Sequence, residues 1–323
     1  MSNIIYNKKS YSVDGTDSVL DTLQKQGVDF PFSCKIGTCQ SCLAKLVDGC
    51  VPPESQKGLK PTLVVKKYFL TCQCKPTEDI SIELPKQNDT DIYSKIVDLS
   101  MLNHNVLRVR VSIDKASDFK PGQYINLVAS RHLVRSYSIA NIPKDYIELH
   151  IKLMPNGLMS NWLTHQAEVG SSVSIRGPMG DCFYYNPENQ SFPIVLAGTG
   201  TGVAPLIGIV NHVLKSKHDG KIILIHGGVH DADLYFHNEL IMLQNKHTNF
   251  KYIPCVLNDS KLIQKASIEN LLIQSFEGIV EKVRLFICGP EETTNKLKIK
   301  AFLAGVPSSF IYTDAFVTAC FNS

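Results

Sequence analysis

Three cysteines crowd into Cys34-Lys35-Ile36-Gly37-Thr38-Cys39-Gln40-Ser41-Cys42, and a fourth follows about thirty residues on, in Leu70-Thr71-Cys72. A C-x4-C-x2-C run with a distant fourth cysteine is the plant-type spacing for a [2Fe–2S] cluster. Thiolates this close repel one another unless a cation or cluster neutralises them, so the loop must fold around something. Gly37, Thr38 and Ser41 are small enough to let backbone N–H groups turn inward and hydrogen-bond the sulfurs. Structural zinc would ask for paired C-x2-C knuckles or Cys/His pairs at helical spacing. No second knuckle exists and no histidine precedes His104. A disulfide would suit a secreted chain, which nothing else here suggests. Thr71-Cys72-Gln73-Cys74 offers two candidates for the fourth ligand. Cys72 is favoured over Cys74, because the apolar run Tyr68-Phe69-Leu70 can hold it against the cluster; Cys74 and Cys50 read as bystanders.

The elements that must position this loop follow from the rest of the chain. Its 323 residues suffice for two or three domains, each with its own core. A net charge of +3 with 20% charged residues gives no nucleic-acid footprint. The apolar runs are strand-sized, well short of the ~20 residues of a membrane span. Met1 to Ser10 is polar and no apolar signal region follows it. Ten cysteines without a secretory signal point to a reducing, cytoplasmic compartment.

Residues 1–88 read as a small α/β unit: a hairpin over Ile4–Val13, a helix from Ser18 ended by Gly27, the cysteine loop, and strands at Leu43–Val47 and Ile80–Leu84. A polar, turn-rich stretch over 85–91 predicts a linker. Over 92–190, alternating strands at Val106–Ile113, Tyr124–Val128, Tyr137–Ala140, Ile147–Leu153 and Val173–Ile175 predict an antiparallel barrel or sandwich, with one helix near 158–166. Over 191–323, apolar strands starting near 192, 221, 250, 283 and 310 alternate with helical stretches, which predicts a parallel sheet covered on both faces.

Gly198-Thr199-Gly200-Thr201-Gly202-Val203-Ala204-Pro205 follows a predicted strand and opens a helix, as a phosphate-binding loop requires. Val203 breaks the strict G-x-G-x-x-G fingerprint, and no Gly-Lys-Ser/Thr follows. Taken alone the run is a nucleotide loop or a tight turn. Arg135-Ser136-Tyr137-Ser138 could pair with a pyrophosphate, cover a flavin ring and hydrogen-bond a ring nitrogen. Alone it is equally a strand with an exposed arginine and a core tyrosine.

Their order decides between these readings. Arg-x-Tyr-Ser is followed by His150-Ile151-Lys152, Asn156-Gly157-Leu158-Met159-Ser160, Gly177-Pro178-Met179-Gly180, the glycine run and Cys288-Gly289-Pro290. This succession resembles the ferredoxin–NADP reductase superfamily. With the cysteine loop in front, the chain resembles the iron–sulfur flavoprotein reductases of multicomponent oxygenases over about residues 5–317. It is also similar to the reductases of CDP-6-deoxyhexose biosynthesis, which the terminal Asp314-Ala315-Phe316-Val317 resembles in particular.

The resemblance implies a β-grasp ferredoxin domain, an antiparallel β-barrel flavin domain and a parallel-sheet nucleotide domain, with a [2Fe–2S] cluster, FAD and NADH as cofactors. It implies that Cys34, Cys39, Cys42 and Cys72 ligate the cluster. Arg135 would hold the FAD pyrophosphate, with Ser136 beside it; Tyr137 would contact the isoalloxazine and Ser138 approach its N5. His150, Lys152, Gly157, Met159 and Ser160 would complete the FAD site. Gly198, Gly200, Thr201, Gly202, Gly289 and Pro290 would bind the nicotinamide dinucleotide, Cys288 would sit near nicotinamide C4, and Phe316 would lie near the flavin. Ser138 and Cys288 are thus the expected catalytic pair.

A 2′-phosphate wants a lysine or arginine after the second strand of the nucleotide sheet. From His226 to Asn245 there is neither, and Asp231 and Asp233 would repel it, so NADH is expected. Related reductases often carry arginine where this chain has His230. A hydride brings two electrons and a [2Fe–2S] cluster takes one, so a flavin between them explains why three sites share a chain. The expected acceptor is a partner protein, either an oxygenase component or a sugar dehydrase, and a monomer is expected of a carrier that must present its cluster. A non-enzymatic electron carrier is the reading of another class, against which the intact glycine run and Cys-Gly-Pro argue.

Overall fold

The computed structural model describes residues 2–86, 91–114, 119–186, 188 and 191–317. The expected boundaries at 88 and 190 and most of the linker therefore lie outside the described residues. Three sheets follow one another along the chain.

The first sheet has the order β2-β1-β5-β3-β4, built from β1 (Asn3–Tyr6), β2 (Lys9–Ser12), β3 (Leu43–Asp48), β4 (Tyr68–Leu70) and β5 (Ile80–Glu83). β1 and β2 form the predicted hairpin, while β1 runs parallel to β5. Across this mixed sheet lies α1 (Val19–Lys25), capped by the Ser18 hydroxyl, which accepts from the Asp21 N–H at 3.1 Å, and a short α2 (Pro61–Val65) precedes β4. Val19, Leu20 and Leu23 bury one face of that helix against Ile4, Phe30 and Phe69, which is the β-grasp arrangement.

The second sheet is antiparallel throughout, in the order β10-β7-β6-β11-β8-β9. Its strands are β6 (Ile92–Met101), β7 (Val106–Ser112), β8 (Tyr124–Val128), β9 (Val134–Ser138), β10 (Tyr146–Lys152) and β11 (Ser172–Met179). An Ile139–Leu149 bridge joins its two ends, so the sheet closes as a barrel. Alternate residues Val109, Val111, Leu127, Leu149 and Ile175 fill the interior. Two expectations need correction. β6 is missing from the sequence reading because a bulge between Ile96 and Asp98 breaks its period-two pattern, and Ile92, Tyr93 and Val97 are exposed. β9 spans Val134–Ser138 rather than Tyr137–Ala140, so the whole Arg135–Ser138 motif is in register with β8.

The third sheet is parallel, ordered β14-β13-β12-β15-β16 from β12 (Ile194–Thr199), β13 (Ile222–Gly228), β14 (Phe250–Val256), β15 (Arg284–Pro290) and β16 (Ile311–Phe316). Ile194 and Leu196 pack on one face while Val195 and Ala197 pack on the other, so β12 is covered on both sides. The strand order reverses between β12 and β15, where an open α/β sheet presents its ligand crevice. At this point the sheet register sets Gly198 beside Cys288, bringing the glycine run and Cys-Gly-Pro together.

Candidate active site

The cysteine loop draws its sulfurs into two pairs. Cys34 lies beside Cys39, and Cys42 beside Cys72. Within each pair the neighbouring thiol lowers one member, Cys34 or Cys72, and raises the other, and burial adds to the rise of Cys39 and Cys42. Backbone N–H groups point at the sulfurs as expected. Cys39 and Ile36 donate to Cys34 Sγ at 3.4 and 3.5 Å, and Cys34 N–H donates to Cys39 Sγ at 3.4 Å. Gln73 Nε2 adds a donor to Cys72 Sγ at 3.4 Å, which the sequence reading missed. No three histidine, cysteine or carboxylate groups among the described residues converge as they would on a single ion. Sulfurs met by several N–H donors fit the donor set of a two-iron cluster, whose cysteines accept such bonds. Cys74 is elsewhere: it is 0% exposed in the core and burial raises its thiol to about 12.

Beside this loop opens a cleft of about 2840 Å³, several times the volume of an ordinary small-molecule pocket. Cys34 and Cys39 line one end. The middle is walled by the motif residues Arg135, Ser136, Tyr137 and Ser138, with His150 and Lys152 from β10. Gly157 caps α3 (Leu158–His165), and Gly157, Met159 and Ser160 also face the cleft. Ser160 Oγ accepts from the Met154 N–H at 2.9 Å, which folds the preceding turn against the helix start. Gly200, Thr201, Pro290 and Phe316 line the far end, where α4 (Val203–Lys215) begins.

Gly198, Gly202, Gly289 and Cys288 stand behind that wall rather than on it. A Cβ on Gly202 would lie 2.2 Å from the Cys288 carbonyl oxygen, so only glycine lets this turn pack on β15. The Cys288 thiol is 2% exposed and sits 3.6 Å from Cys182 Sγ, while Cys182 faces the cleft. The structure thus brings Ser138 to the cleft and leaves the Cys288 thiol buried behind the cleft-lining Cys182.

Several contacts of these and neighbouring residues were not legible in sequence. Asp314, 176 positions away on β16, accepts from Ser138 Oγ at 2.6 Å, and burial raises its carboxyl to about 6 despite that bond. His150 is held by Glu148, whose second oxygen takes Arg110 at 2.6 Å, and it stacks on Phe236. Burial would raise the Glu148 carboxyl, but its bonds to His150 and Arg110 prevail and lower it; burial lowers His150 despite Glu148. At the end of β13, Asp233 accepts from the N–H groups of Val229 and His230.

Three protein-family models match successive parts of the chain: a 2Fe-2S iron-sulfur cluster binding domain over residues 4–77, an oxidoreductase FAD-binding domain over 94–184 and an oxidoreductase NAD-binding domain over 196–298. The chain belongs to the ferredoxin–NADP reductase superfamily. It is an iron–sulfur flavoprotein oxidoreductase that binds a [2Fe–2S] cluster, FAD and a nicotinamide dinucleotide. The reductase is 28% identical over 310 residues to the reductase component of a Pseudomonas putida naphthalene 1,2-dioxygenase system, covering 93% of each chain. It is 27% identical over 319 residues to the CDP-6-deoxy-L-threo-D-glycero-4-hexulose-3-dehydrase reductase of Yersinia pestis, covering 95% of each. Its fold is that of the Amycolatopsis cytochrome P450 reductase, with a TM-score of 0.68 at 23% identity over 98% of this chain and 99% of the other. Among the described residues no helix is long and apolar enough to cross a membrane.

Proposed function

We propose that this reductase draws electrons from NADH and delivers them singly through its cluster to an oxygenase component in the cytoplasm. What carries the reading is the single cleft onto which the cysteine loop, the Arg135–Ser138 strand and the glycine loop all open. Cys34 with Cys39 and Cys42 with Cys72 would hold the cluster. Arg135, Gly157, Met159 and Ser160 would take the FAD phosphates and Tyr137 the ring, with Ser136, His150 and Lys152 beside it. Gly200 and Thr201 would receive the dinucleotide on a turn whose shape Gly198, Gly202 and Gly289 permit, with Pro290 and Phe316 closing that end. A bound flavin accepts the two electrons of a hydride together and releases them one at a time.

The chain's own groups set the terms of that chemistry. Above about pH 6 Asp314 is ionised and accepts from Ser138, so the Ser138 proton is committed to Asp314 and its lone pairs are left to the cleft. No acid or base is needed to move a hydride, and a buried Cys288 fits a packing role beneath the nicotinamide end. The lining at the β13 end includes His230, Asp233 and Glu269 and no lysine or arginine, which disfavours a 2′-phosphate. NADH is therefore expected to exceed NADPH in kcat/KM by about tenfold or more, a margin of about 1.4 kcal/mol. Equal or inverted values would overturn this preference. Bleaching of the absorption beyond the flavin band on adding NADH tests the route itself. A sugar dehydrase is the second acceptor to try, because Asp314-Ala315-Phe316-Val317 resembles the reductases of that pathway.

A further inference from the structure

The cluster loop is tied to the flavin strands by a set of hydrogen bonds to its backbone carbonyls. Arg135 Nη1 donates to Phe32 O at 3.1 Å, Tyr124 Oη donates to Thr38 O at 2.9 Å, and Asn126 Nδ2 donates to Cys39 O at 3.0 Å. Asn126 is the joint of this set. It sits at the middle of β8, directly paired with Ser136 on β9, and is 0% exposed. Its Oδ1 accepts from Ser136 Oγ at 2.7 Å and, at the 3.5 Å limit, from Ser41 Oγ. One buried amide therefore touches a cluster-ligating residue of the loop, a second loop residue and the flavin motif. An apolar side chain here would leave the Cys39 carbonyl and the Ser136 hydroxyl without these partners.

We infer that Asn126 is a positioning residue that locks the Cys39 side of the cluster loop onto the flavin strand, and thereby sets the cluster's surroundings and its rate of reduction. The inference rests on the electron route proposed above. With both groups loaded, each transfer would oxidise the flavin by one electron and reduce one ferric iron to ferrous, with NADH as the reductant, and no bond would form or break at Asn126. Replacement by Asp keeps the acceptor for Ser136 and removes the donor to Cys39 O, while Leu removes both.

The test compares FAD- and cluster-loaded wild type with Asn126→Asp and Asn126→Leu. Stopped-flow mixing with NADH separates flavin reduction from cluster reduction, and two further readouts do not depend on turnover: the electron paramagnetic resonance signal of the dithionite-reduced cluster, and amide exchange over residues 32–42. Slowing of cluster reduction by about tenfold or more is expected, since misplacement of reacting groups by an ångström is costly. A changed resonance signal and faster exchange at 38–40 should accompany it, with flavin reduction little altered. Wild-type values for all three in Asn126→Asp would overturn the inference, as would fast exchange of the 38–40 amides in the loaded wild type, which needs no variant. If NADH reduces the wild-type flavin but never the cluster, the electron route fails instead.

Discussion

Cys72 and Cys74 flank Gln73 and have opposite fates. Cys72 lies half-buried against Cys42 with Gln73 Nε2 on its sulfur, whereas Cys74 is sealed in the ferredoxin core. Cys72→Ser should therefore abolish the cluster's visible absorption, while Cys74→Ser should keep it and lower the melting temperature, since a hydroxyl replaces a buried thiol at a cost of about 1–3 kcal/mol. The reverse pattern would exchange their roles. Asp314 offers a titration at the same scale. Its folded value of about 6 lies above the free value of 3.8, so the folded state binds this proton more tightly. Its contribution to stability is complete below about pH 4 and is lost as pH rises through 6. Asp314→Asn keeps an acceptor for Ser138 and loses that dependence. Its melting temperature should rise relative to wild type between pH 4 and pH 7, and a constant difference across that range would remove Asp314 from the account.

At the scale of elements, the turn from β12 into α4 decides nucleotide binding. Gly200 is held at φ +54°, and Gly202 lies flush against the Cys288 carbonyl. Gly202→Ala forces those backbones apart, so NADH should lose affinity by about tenfold or more, read as a raised KM, with flavin and cluster absorption intact. An unchanged KM would mean that the loop does not receive the dinucleotide. This turn was legible in the sequence because glycine spacing after an apolar strand is a local signal. So were most strands, whose periodicity follows from what each buries. What escaped was set by distant partners. Ser138 meets Asp314 across 176 positions, Asn126 answers a loop 87 positions away, and β6 is irregular at its bulge. A middle-strand asparagine has no spacing signature; only the packed barrel shows what it faces. Cys288 stands beside the glycine run as its motif implies, while the contact of its thiol with Cys182, 106 positions away, had no local signal.

The whole molecule is arranged so that the barrel stands between electron source and electron exit. Hydrogen bonds from Tyr124, Asn126 and Arg135 bind the cluster loop to the barrel, and His132 adds a contact with Asp29 O at 3.1 Å. On the other side Gly208 of α4 packs against Ala140, where an added Cβ would come within 2.9 Å of its backbone, and His150 stacks on Phe236. These contacts join the three parts of one chain, and the electron path is expected to close within it. The rate of cluster reduction after mixing with saturating NADH should then be first order and independent of protein concentration. Transfer between two copies would instead scale in proportion to concentration, since encounters are bimolecular. Stopped-flow traces over about a hundredfold dilution separate the two, because a bimolecular step would slow by that same factor. A constant rate supports transfer from nucleotide to cluster without an encounter between molecules, and a rate that falls with dilution would require a second molecule on the path.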